Sequence, residues 1–262
     1  MPFDGLTALA GVLVGLIVGV TGVGGGALMT PILVLLFGIA PHTAIGTDLV
    51  YASITKMAGF VVHHQHGTVD WQVVWRLAYG SLPAAALTLL WMTATAAGQR
   101  RSGAVMTALA VALLVTALGM LLKDRLHGMG RAFRVAEPSR FKHLQPLLTV
   151  GAGVLLGVLV TWTSIGAGAL GTVMLDYLYP LRMTANRLVG TDLAHAIPLA
   201  LIAGLGHLAM GNVDGLLLLN LLVGSIPGVV IGAFISTRAP HTVIRYAIAV
   251  TLTAVAIRML AS

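Results

Sequence analysis

Two short stretches interrupt the apolar runs of this chain with residue types that suit anion binding. The first carries Thr21, Gly22, Gly24, Gly25 and Gly26; the second carries Thr163, Ser164, Gly166 and Gly168. Glycines free backbone N–H groups, and the helix expected after each break presents the positive end of its dipole to negative charge. The hydroxyls of Thr21, Thr163 and Ser164 add donors. An unwound segment at membrane depth survives only when buried in protein or lining a polar cavity, because each unsatisfied backbone group costs several kcal/mol. These nine residues are therefore the candidate substrate-binding set. On that reading a Cβ at Gly24 or Gly166 obstructs the anion. The other use of the glycines, a tight hairpin between packed helices, predicts the same spacing.

A second set of residues offers charge transfer. Asp48 and Asp192 lie a few residues inside apolar segments, where an ionised carboxylate is costly. They either carry protons that couple or gate anion movement, or bond the glycine turns and favour their own helix N-termini. Lys56 lies deeper and has no counterpart, since residue 200 is alanine. It either pairs an anion or snorkels to the interface. His63, His64 and His66 end one segment, and His63 alone has a matching residue, His207. Helix capping or titration near neutral pH suits them; no metal site is expected, because partners in fixed geometry are not evident.

Two enzymatic patterns fail on context. Ser164, His195 and Asp192 supply the residue types of a hydrolytic triad, but no nucleophile elbow surrounds Ser164. Gly22, Gly24 and Ala27 satisfy a dinucleotide fingerprint with Asp48 about twenty residues on, yet that fingerprint needs a preceding strand. Here an apolar segment of lipid-spanning length precedes it. The chain is not expected to be an enzyme or to hold a cofactor.

The elements that position these residues follow from composition. The 262 residues are 58% hydrophobic and 9% charged, against roughly 25% charged in a soluble domain. Mean hydropathy is +0.96. Apolar runs of about 17 to 22 residues match a bilayer core of about 30 Å. This excludes a soluble fold, and the absence of alternating ten-residue segments argues against a porin-like barrel. The expected class is an all-α polytopic membrane protein. The first apolar run lacks a preceding Lys or Arg and reads as a membrane segment rather than a cleavable signal. With no cysteine there are no disulfides or thiolate sites. The net charge of +7 is concentrated at Lys123, Arg125, Arg131, Arg134, Arg140 and Lys142. Such a juxtamembrane cluster is cytoplasmic by the positive-inside rule. It suits lipid headgroups, and no nucleic-acid partner is expected.

The chain is one module written twice. Gly46–Asp48 recurs at Gly190–Asp192, a shift of 144 that also carries His63 to His207, Gly67 to Gly211, Asp70 to Asp214, Ser81 to Ser225 and Pro83 to Pro227. Upstream the shift is 142, matching Gly24–Leu28 to Gly166–Leu170, Thr21 to Thr163 and Thr30 to Thr172. We divide the chain into a first membrane repeat, 1–122, a basic cytoplasmic linker, 123–146, and a second repeat, 147–262. Five apolar segments per half give about 8–10 membrane segments, the second in each half being short enough for a re-entrant hairpin. Five or three crossings per half are both odd, so the repeats should be inverted. Small-residue ridges at Gly11, Gly15 and Gly19, and at Gly153 and Gly157, predict close helix packing.

The stretches "GVTGVGGGALMTPIL", "PHTAIGTDLV" and "HHQHGTVDW", with "GTDL" and "GNVD" in the second half, resemble the TauE/SafE family of bacterial membrane transporters. The resemblance covers nearly the whole chain except the linker. It implies a multi-pass protein of the bacterial inner membrane and export of sulfite, sulfonates, other organosulfur compounds or carboxylates. Together these readings predict a gradient-coupled secondary transporter of a small anion working by alternating access, with H+ or Na+ as coupling ion and the lipid bilayer as environment. Homo-oligomerisation is compatible with this. The alternative is a channel or importer for a small ion, including a metal cation through the His-rich loop.

Overall fold

The computed structural model describes residues 5, 9, 11–16, 26–95, 102–136, 138–166, 168–236 and 241–261. Residues 11–16 are helical. The helices that follow are α1 (Gly26–Leu35), α2 (Pro41–Gln65), α3 (Trp71–Thr95), α4 (Ser102–Ala136), α5 (Pro138–Thr163), α6 (Ala169–Leu178), α7 (Ala185–Ala209), α8 (Gly215–Ser236) and α9 (His241–Ala261). Among the described residues there is no strand. Four segments are long and apolar enough to cross a bilayer: Trp71–Thr95, Val105–Ala136, Phe141–Thr163 and Ala185–Ala209. By length alone α2, with 25 residues, also spans about 37 Å. Leucines and valines such as Leu87, Val115, Leu201 and Leu219 cover the outside, where lipid replaces water as the solvent. The basic stretch 123–146 is helical for the most part, closing α4 and opening α5 at Pro138.

Local chemistry sets the ends. Thr184 caps α7 by accepting the Arg187 N–H, and Asp214 Oδ1 accepts the N–H groups of Leu216 and Leu217 at the start of α8. Gly67 and Gly211, counterparts at the shift of 144, close α2 and α7 with φ of 63° and 76°. Most residues resist that left-handed conformation, so glycine stands at both turns.

The short α6 does not cross. Gln145 Nε2 donates to Leu178 O at 2.5 Å, and the Thr149 and Tyr179 hydroxyls meet at 2.8 Å. The end of α6 therefore returns to the level at which α5 enters. With 10 residues, about 15 Å of rise, α6 is the inner arm of a re-entrant hairpin, with Ser164, Gly166 and Gly168 at its tip.

Contacts between the halves come in matching pairs. Asp70 N–H donates to Thr191 Oγ1 at 3.0 Å, and Asp214 N–H donates to Thr47 Oγ1 at 3.1 Å. Gly11 and Gly15 lie against the carbonyls of Leu221 and Ser225, as Gly153 and Gly157 lie against those of Leu77 and Ser81. A Cβ at any of these glycines would overlap a backbone oxygen. Contacts that repeat with the roles exchanged are the pattern of a two-fold relation. The turn 66–70 lies at the C-terminal end of α2, whereas its counterpart 210–214 meets Thr47, about 27 Å back along that helix.

Candidate functional site

Helices α2 and α7, the third segment of each half, pack against each other along their lengths and bring the intramembrane charges together. Asp48 is fully buried, and Lys56 and Asp192 are each 4% exposed. The Lys56 ammonium lies within electrostatic reach of both carboxylates. One cation thus serves two anions, one from each half. An isolated charge at this depth would cost several kcal/mol, and mutual attraction offsets that cost.

The surroundings of the two aspartates differ. Thr30 of α1 donates its hydroxyl to Asp48 Oδ2 at 2.5 Å. Ser164, at the hairpin tip of the other half, lies beside the same carboxylate. Among the described residues, neither Ser164 Oγ nor Asp48 Oδ1 makes a hydrogen bond of good geometry. Asp192 lies against α6, where a Cβ at Gly171 would collide with its Oδ1. The helix-breaking tip reaches the charged centre because Ser164 adopts φ 58°, with Gly166 at 118° and Gly168 at 132°. A serine in the left-handed region is strained, and such strain gathers at functional sites. No side-chain hydrogen bond caps the N-terminus of α6 at Gly168.

Two further polar contacts extend the centre. Ser81 Oγ and His195 Nε2 are 2.7 Å apart, and both residues are buried. Their counterparts at the shift of 144, Ser225 and Tyr51, are also neighbours. His195 Nδ1 and Tyr51 Oη lack partners.

The structure sorts the expected site residues. Thr21, Gly22, Gly24 and Gly25 lie outside the described residues, and Gly26 opens α1. Thr163 turns into its own backbone: Oγ1 donates to Leu159 O at 2.6 Å and accepts the Ile165 N–H at 3.2 Å. Its proton is already used. A Cβ at Gly166 would point at Val160 and Leu156 at ordinary distances, so alanine there acts through backbone strain and not by filling a polar site. His207 is fully buried, with Nε2 3.0 Å from Thr161 O and Asn212 beside Nδ1. Its place is in the packing of the α7 terminus. His63 belongs to α2, near the end opposite Asp48. The neighbouring His64 stacks on Phe60 with centroids 5.3 Å apart. Ser164, His195 and Asp192 do not assemble as a triad, because His195 meets Ser81 and the Ser164 hydroxyl lies beside Asp48.

Thr30, Tyr51, Ser81 and His195 thus join the site. Their signal lay in the repeat, where Thr30 matches Thr172 and Ser81 matches Ser225, but spacing along the chain does not say what they meet.

A multi-helix apolar shell around a buried charged centre is the architecture of a polytopic membrane protein, and the comparisons make it a membrane transporter. The family model "Sulfite exporter TauE/SafE" matches residues 7–259. The chain is 42% identical over 236 residues to the "Probable membrane transporter protein YjnA" of Bacillus subtilis (strain 168), covering 88% of this chain and 89% of that one. It is 29% identical over 243 residues to the "Probable membrane transporter protein YdhB" of the same organism, covering 91% and 93%. A "Probable membrane transporter protein" of Xylella fastidiosa (strain Temecula1 / ATCC 700964) is 29% identical over 236 residues, with 89% and 85% covered. No solved structure matches. The chain belongs to the TauE/SafE family, and it is a multi-pass transporter of the bacterial cell membrane.

Proposed function

We propose that the chain is a secondary transporter of a small anion of the sulfite, sulfonate or carboxylate kind, with protons as the coupling ion and anion and proton carried in the same direction. The observation that carries this reading is that buried Lys56 lies within electrostatic reach of both buried carboxylates, Asp48 and Asp192. With both carboxylates ionised, the cation is more than balanced and an incoming anion is repelled. Protonation of either carboxylate releases positive potential from Lys56 toward the guest. Anion and proton binding therefore favour each other, and this linkage is reciprocal. Ser164 Oγ and the uncapped N-terminus of α6 supply donors on the facing side.

Alternating access follows from the same design. The repeat-related contacts and the placement of the turns 66–70 and 210–214 support an inverted two-fold relation between the halves. A centre shared by two such halves reaches either face by rocking one half against the other. Flux of labelled sulfite, sulfoacetate and a carboxylate into proteoliposomes, with and without a pH gradient, tests the reading. Saturable flux that responds to the gradient is expected. Gradient-independent, unsaturable flux would make the protein a channel and sink the proposal.

A further inference from the structure

A second cationic site lies away from the buried centre. A cavity of about 250 Å³ opens between the start of α3, the end of α4, the start of α5 and the turn after α6. Its lining includes Arg76, Arg134, Lys142 and Arg182, with the amides of Gln72 and Gln145. Among the described residues, no acidic side chain lines it. Arg182 is held by Asp70 through Nε to Oδ2 at 2.6 Å and Nη2 to Oδ1 at 2.8 Å. Among the described residues, the other three cations have no carboxylate partner.

Two of these three are oriented by uncharged groups. Arg76 Nη1 donates to the Tyr179 hydroxyl at 3.2 Å, and Arg134 lies over Phe141 at 5.5 Å. Aromatic faces and a phenol position a guanidinium without neutralising it. Three like charges without a carboxylate around one cavity repel one another, and a multivalent anion relieves that repulsion. Guanidinium forks suit the paired oxygens of phosphate and related oxyanions. The volume equals that of about eight waters, enough for one oxyanion group with part of its hydration.

Depth in the membrane narrows the source. Trp71, Trp75 and Tyr79 project from the exposed face of α3 at four-residue intervals, 46%, 58% and 71% exposed. Tryptophan and tyrosine gather at the headgroup level of a bilayer. Arg76 lies between them in sequence, so the cavity stands at that level. It is also on the side of the basic cluster, where anionic headgroups bind basic pockets between helices.

We propose that this cavity is a binding site for a phosphate- or sulfonate-type oxyanion, carried either by an anionic lipid headgroup or by a free ion. The site is tested on the purified full chain by binding and not by transport, so its outcome is independent of the transport reading. In one arm, native mass spectrometry follows retention of phosphatidylglycerol and cardiolipin against phosphatidylcholine. In the other, thermal shift follows inorganic sulfate and phosphate at ionic strength held constant with chloride. The wild-type chain is expected to bind saturably in at least one arm. R134Q/K142Q should weaken that binding at least tenfold, while R134K/K142R retains most of it. Both positions are at least partly exposed, so the variants should fold, and their melting temperatures check this. Loss in the lipid arm identifies a headgroup; loss in the salt arm identifies a free oxyanion. Absence of saturable binding, or equal binding by wild type and R134Q/K142Q in both arms, overturns the proposal.

Discussion

Thr30 donates to Asp48 Oδ2 at 2.5 Å, and the Ser164 hydroxyl of the other half lies beside the same carboxylate. Both halves thus meet at Asp48, with the Lys56 ammonium within electrostatic reach. The charge state of this carboxylate frames the first expectation.

Asp48→Asn keeps an acceptor for Thr30 and mimics the protonated acid. The variant should fold, and the response of its anion affinity to pH should be flattened. In the wild type, acidification protonates a carboxylate beside Lys56 and removes a negative charge, so affinity should rise as pH falls. Asp192→Asn should flatten the response in part. Binding titrations between pH 5 and pH 8 on the three proteins check this. A full pH response in both variants would leave the aspartates with capping and bonding roles.

Lys56→Met should lower anion affinity at least tenfold, because the nearest cation is gone. It should also destabilise the fold by about 3–5 kcal/mol, the usual effect of breaking a buried charge group from one side. K56M/D192N should recover much of the melting temperature but none of the affinity. If affinity returns with stability, Lys56 acts through the fold alone.

The glycine contacts between halves are expected to be equivalent. Gly15→Ala and Gly157→Ala each place a Cβ against a serine carbonyl, Ser225 and Ser81 respectively. Overpacking of this kind costs about 1–3 kcal/mol. Similar losses of melting temperature are expected from both. Gly166→Ala should also lower stability, but through its φ of 118°, since its Cβ has room. A neutral Gly157→Ala would show that the helices separate easily there.

Orientation is accessible because the chain contains no cysteine. Single cysteines at His64 and Gly128 should label with an impermeant maleimide from the cytoplasm, and one at Gly211 from outside. All three positions are exposed. Labelling of His64→Cys and Gly211→Cys from the same side would refute the inverted arrangement.

Membrane class and the helix break before α6 were legible in the one-dimensional order of residues. Apolar run length reports bilayer thickness, and duplication leaves matching polar positions such as Asp48 and Asp192. Glycines at Gly67 and Gly211 announced turns because the backbone conformation there is local. Ser164 could be singled out by its place in the second break, and Asp48 and Lys56 by their charge. Their mutual contacts could not be read in the same way. Whether Lys56 meets one aspartate or two depends on the register in which α2 lies on α7, and that register is set by backbone contacts at glycines distant in sequence. For the same reason Thr163, which looked like a donor to a guest, proved to be turned toward Leu159, whereas His195 found Ser81. The cavity lined by Arg76, Arg134, Lys142 and Arg182 draws its residues from three helices and a turn. Spacing along a helix tells which residues share a face; only packing decides what that face meets.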